Sequence, residues 1–134
     1  MSAVTALIGF TAWTLLLVFL ILNWRGVEVL LRGVPANSWG RGAEREGPSL
    51  VKRLQHAHLN CLENLPVFAA IVLSAYVIGK SAVVDPVAMY VLYARLGQSG
   101  VHLIGTSHWL VMIRVTFYTI QVLLFFYMMW GLVA

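Results

Sequence analysis

Apolar residues run almost unbroken through four stretches of this chain, and the polar residues that interrupt them recur at steps of three or four, the helical period. Residues 4–23, "VTALIGFTAWTLLLVFLILN", carry no charge over twenty positions, about what a helix needs to cross a hydrocarbon core of roughly 30 Å. Similar runs predict spans at about 50–79, with Pro66 inside, 86–104 and 109–133. The pattern predicts an all-α, integral membrane four-helix bundle, one transmembrane domain over residues 1–134. The polar segment 24–53 mixes Gly, Pro, Ser and Asn with charges and is expected to be a connection, its loop proper at about 24–49. The N-terminus, "MSAVTALIG", lacks the basic start of a secretory signal, so the first run is expected to be a retained span.

Composition agrees: 60% of residues are hydrophobic and 10% charged, and the mean hydropathy of +0.85 lies outside the range of soluble domains. With four spans, Arg25, Arg32, Arg41, Arg45, Lys52 and Arg53 fall on one side and Lys80 on the other, so the 24–53 side is expected to be cytoplasmic. The net charge of +4 therefore describes topology and contact with anionic headgroups, with no call for nucleic acid. The one cysteine, Cys61, excludes an intrachain disulfide and is expected to be a buried thiol.

The interrupting residues fall in one half of the membrane. Arg53, His56, Asn60 and Glu63 share a face of the second span; Arg95, Gln98 or Ser99, and His102 share one on the third; Arg114, Tyr118 and Gln121 share one on the fourth. Polar and charged groups at that depth are costly unless they face each other or a ligand. The expectation is a shared cavity in which Arg95 and Arg114 outweigh one buried carboxylate, Glu63, with Arg53 and Arg25 at its mouth. Such a site suits an anion, and its amides suit peptide-like groups.

Other polar residues have plainer uses. His58, on a different face from His56, is expected to make a packing hydrogen bond, and His108 to lie at the interface. No metal site is expected, because one carboxylate and scattered histidines lack a ligand spacing; a haem held between His56 and His102 has no other support. Pro66 is expected to bend its helix, and "FFYMMW" (125–130) to face lipid and the interface. "SAYVIG" (74–79) and the Gly97/Gly100 pair offer small residues for close helix contact.

"RLQHAHLNCLENLPVF" (53–68) resembles the second-helix signature of the MAPEG family, the membrane-associated proteins in eicosanoid and glutathione metabolism. "ARLGQSGVH" (94–102) and "IRVTFY" (113–118) also look like that family, here a bacterial-type member. The resemblance implies a homotrimer in a bacterial inner membrane, with glutathione as co-substrate on the cytoplasmic side and a lipophilic small molecule as second substrate. It implies that Asn60 and Glu63 hold the tripeptide's polar backbone and ammonium, that Arg95 contributes charge, that Arg114 stabilises the thiolate and that Tyr118 lies along the peptide. Arg53, His56, Gln98 and His102 complete the expected glutathione-binding set. The implied function is a glutathione-dependent transferase or peroxidase. Three positions depart from the pattern: His56 stands where the family usually has arginine, His102 about where eukaryotic members carry tyrosine, and Val115 where the prostaglandin-synthase branch has serine. A specialised eicosanoid synthase is therefore not expected. Two other readings stay open: a non-catalytic module of the same fold that binds an anionic lipid or partner protein, and a small transporter or proton relay using Glu63, His56 and His102.

Overall fold

A computed structural model describes residues 2–39 and 48–134. Four helices follow one another up and down: α1 (Ala3–Arg32), α2 (Ser49–Val77), α3 (Ser81–Ile104) and α4 (His108–Val133), with a turn of 3-10 helix at Ala36–Trp39. Ser2 starts α1 by accepting the Thr5 N–H on its Oγ at 3.2 Å, and Ser107 does the same for the Leu110 N–H of α4 at 3.4 Å.

The first span ends later than the sequence suggests. Residues 24–32, expected as loop, continue α1 to 30 residues, about 45 Å at the usual rise and well beyond the hydrocarbon core. Two local features carry it on. Arg32 pairs with Glu28 one turn back at 2.8 Å, and the helix stops only at Gly33, whose φ of 66° suits glycine. There the Val34 N–H reaches the Glu28 carbonyl at 3.1 Å and Val34 is buried, which closes the helix end. Arg41 and Arg45, counted on that side, lie outside the described residues. α2 runs through the exposed Pro66 without interruption.

α1, α2 and α4 are each long and apolar enough to cross a membrane; α3 is less apolar. Packing fits the difference, since α3 makes the most contact with the other helices and spends fewer positions on lipid. α4 leans mainly on α3 and buries only Gln121, Phe125 and Met128. The aromatic belt is thus corrected at two positions: Phe125 and Met128 turn inward, while Phe126, Tyr127, Met129 and Trp130 face out.

The apolar core fills one half of the bundle. Phe10 meets Phe68 at 5.5 Å and Phe68 meets Phe125 at 6.0 Å, with Val84, Ala88 and Val91 of α3 behind them. At that end Asp85 fastens three helices: its Oδ1 accepts the Ala3 N–H of α1 at 2.7 Å and the Tyr76 hydroxyl of α2 at 2.7 Å. The other half holds the polar residues.

Candidate functional site

α3 turns Arg95, Gln98, Ser99 and His102 inward, and all four are buried. Arg95 is fully enclosed. Its Nε donates to Gln121 Oε1 at 3.1 Å, and its guanidinium carbon lies 5.3 Å from the centre of the Phe10 ring, so the aromatic face offsets part of the desolvated charge. Gln121 Nε2 in turn donates to Gln98 Oε1 at 2.8 Å and to the Phe117 carbonyl at 3.2 Å. This chain of bonds runs from α3 to α4 and back. It leaves Nη1 and Nη2 of Arg95 buried with no hydrogen-bond partner among the described residues. Unpaired cationic donors in a dry interior are costly.

Beside them a cleft of about 190 Å³ is lined by Asn60, Gln98, Arg114, Val115 and Tyr118. Arg114 is half-buried in its wall. The close approach of α3 and α4 that forms the cleft depends on Gly97, where a Cβ would stand 2.8 Å from the tip of the Phe117 ring. At the end of α3, Arg53 of α2 donates through Nε to the Leu103 carbonyl at 2.9 Å, using one of the acceptors that a helix terminus leaves free. Next to it the His56 and His102 rings lie 6.1 Å apart at 40°, and the fields of Arg114, His56 and Arg53 all reach His102.

Of the residues expected from sequence, Asn60, Gln98, Arg114 and Tyr118 share the cleft, Arg95 lies behind them, and His56, His102 and Arg53 gather at one end. Two expectations are corrected. Glu63 is exposed, not a buried carboxylate: α2 buries Leu54, Ala57, Cys61 and Asn64, which rotates the Arg53–His56–Asn60–Glu63 stripe to the rim. Its field still reaches Arg95, together with those of Cys61 and Tyr118. Arg25 is not at the mouth of this cleft; it sits on α1 beside Trp39, at a different cavity. His58 lies 3.2 Å from the Thr14 carbonyl of α1, the packing contact expected of it. Cys61 is buried with Sγ 3.7 Å from Ser99 Oγ, and His108 is exposed with its ring edge-on to Trp109 at 5.4 Å.

Sequence reasoning placed Gln121 on the right face and gave it no role, although it links Arg95 to Gln98. Its signal was a lone amide seven residues beyond Arg114, among apolar neighbours. Phe10 gave no signal, because an aromatic in an apolar run looks like any core residue. Among the described residues no group of three or more His, Cys, Asp or Glu side chains comes together. The cleft offers one guanidinium group, with a second enclosed behind it, two amides and a phenol, a donor-rich set suited to an anionic, peptide-like ligand.

No curated protein and no solved structure matches this chain. The sequence model of the MAPEG family matches residues 3–134, nearly the whole chain, a range that takes in all four helices and the cleft. This membrane-embedded helical bundle with a basic cleft in one half belongs to the MAPEG family, membrane proteins of glutathione and eicosanoid metabolism.

Proposed function

We propose that the protein activates the glutathione thiol in the Asn60–Gln98–Arg114–Tyr118 cleft and uses it against a lipophilic electrophile or hydroperoxide. The observation that carries this reading is the pair of guanidinium groups: Arg114 half-buried in the cleft wall and Arg95 enclosed behind it with two unpartnered donors. A free thiol with a pKa of about 8.5 is mostly protonated at neutral pH, and a guanidinium within hydrogen-bonding reach in a low-dielectric setting favours the thiolate. Arg114 takes that role. Asn60 and Gln98 pair with peptide groups, Arg95 adds positive charge for a carboxylate, and Glu63 receives the ammonium.

A cleft of about 190 Å³ is smaller than the roughly 300 Å³ of ordinary ligand pockets, so it takes the thiol end of the tripeptide. The remainder runs along the exposed Asn60–Glu63 stripe, which a neighbouring protomer of a homotrimer covers. The thiolate forms the S–C bond while the leaving group departs with its electron pair. With a hydroperoxide the sulfur takes the outer oxygen, the alcohol leaves, and a second glutathione completes the disulfide with release of water. The substrate enters from lipid. Arg25, Arg32, Lys52 and Arg53 outnumber Lys80 across the bilayer, which supports a cytoplasmic cleft in a bacterial inner membrane.

One observation favours a non-catalytic module that binds an anionic lipid or partner protein: Val115, beside Arg114 in the cleft, has no group to donate to sulfur. An ultraviolet difference spectrum on adding reduced glutathione at neutral pH separates the two. A thiolate band in the wild type that Arg114→Ala abolishes, with turnover of chlorodinitrobenzene reduced by roughly 10²-fold or more, supports the transferase. No band and no thermal stabilisation by glutathione supports the module.

A further inference from the structure

A second cavity lies between α1, the Ala36–Trp39 turn and α2, and the thiol chemistry does not use it. Its volume is about 380 Å³, twice that of the cleft. Arg25, Trp39, Gln55, His56 and His58 supply its polar lining, and Val18, Ile21 and Leu59 its apolar lining; among the described residues no carboxylate lines it. Arg25 holds its guanidinium carbon 5.6 Å from the centre of the Trp39 ring, and Trp24 braces that ring edge-on at 5.6 Å. The 3-10 turn is thereby folded back against α1.

Two polar atoms of this lining are buried with no hydrogen-bond partner among the described residues, Arg25 Nε and Trp39 Nε1. Both are obligate donors. Stranded donors, a cation and imidazoles with no opposing carboxylate among the described residues call for an anion, and the aliphatic residues beside them call for an acyl chain. Arg32, Lys52 and Arg53 share this end of the bundle and raise the local concentration of negative charge.

We propose that this cavity is a binding site for the anionic headgroup of an amphiphile, with Arg25 and the Trp39 indole N–H donating to a phosphate or carboxylate and Val18, Ile21 and Leu59 flanking the first methylenes. It lies within one protomer; of its lining only His56 also belongs to the expected glutathione-binding set, and neither proposed donor, Arg25 nor Trp39, does.

The test uses the full chain in a neutral detergent and native mass spectrometry, titrating short-chain phosphatidylglycerol, phosphatidylcholine with the same chains, and inorganic phosphate. Phosphatidylglycerol binds in preference to phosphatidylcholine, and Arg25→Gln or Trp39→Phe weakens it by about tenfold or more, the loss of one charge-assisted hydrogen bond. Trp39→Phe keeps the ring on Arg25 and removes only the donor, so it stands as a test if Arg25→Gln misfolds. Competition by phosphate alone assigns the site to a free anion, and its failure to compete assigns it to a lipid; either supports the anion site. Equal binding of the two lipids, no binding at all, or phosphatidylglycerol binding unchanged in both variants overturns it.

Discussion

Replacing Arg95 by methionine separates what the fold needs from what a ligand needs. The side chain is fully buried; it makes one hydrogen bond, to Gln121 at 3.1 Å, and strands two donors. Losing that bond costs about 1.5–3 kcal/mol, including the acceptor left bare on Gln121. Removing an enclosed and incompletely satisfied cation returns several kcal/mol, as replacement of buried charges by apolar residues of similar size does elsewhere. The two nearly cancel, so Arg95→Met unfolds within about 1 kcal/mol of the wild type or above it. Binding responds differently. Glutathione at a hundredfold above its Kd stabilises the wild type by about 2.7 kcal/mol, and the variant loses most of that gain. Thermal unfolding in detergent, with and without glutathione, reads both quantities. A loss of more than about 3 kcal/mol without ligand refutes the reasoning, because the two Nη donors would then have structural partners and would not be available to a ligand.

Gln121→Leu strands Gln98 and the Arg95 Nε together and lowers stability by about 2–4 kcal/mol in the same assay, while Gln121→Glu, which gives Arg95 a carboxylate, loses less. Gly97→Ala drives a methyl group into Phe117 and costs about 1–3 kcal/mol of unfolding free energy, with weaker glutathione binding as the cleft deforms. Cys61 reacts with a maleimide only on the timescale of unfolding, read by mass spectrometry, because its sulfur is enclosed. Asp85 lies ahead of the apolar run of α3, and the Ala3 N–H and then the Tyr76 hydroxyl hold its carboxyl below the usual carboxylate range. Its contribution is therefore complete above about pH 4 and fades as pH falls through its lowered value. Asp85→Asn flattens that acid limb in a pH series of melts.

The four helical runs and the concentration of polar residues in one half of the bundle were legible in the sequence, because both follow from helical period and length alone. The rotation of the α2 stripe was not. Arg53, His56, Asn60 and Glu63 and the buried set Leu54, Ala57, Cys61 and Asn64 have the same spacing on neighbouring faces of α2, and only the other helices decide which turns inward. The polar stripe of α3 was read correctly because that helix is surrounded, and any face carrying Arg95 has to turn away from lipid. The end of α1 was misplaced because Val27, Leu30 and Leu31 stand among charges and glycines, which looks like a loop until the Glu28–Arg32 pair and the Gly33 stop are seen. Asp85 was invisible as a fastener, since its partners lie 82 and 9 residues away in the chain.

The modest apolarity of α3 bears on how the protein is made. An arginine at the centre of a span opposes insertion by about 2.5–3.5 kcal/mol, and α3 carries one that only its neighbours can shelter. α1 and α2, which precede it and are apolar enough to partition alone, give the translocon a docking partner already in place, and α4 follows as a strong stop. Biogenesis is then sequential, and α3 enters the bilayer as a passenger of the hairpin before it. Reporter fusions after α3 should therefore be misrouted when α1 is deleted, even though α3 itself is untouched.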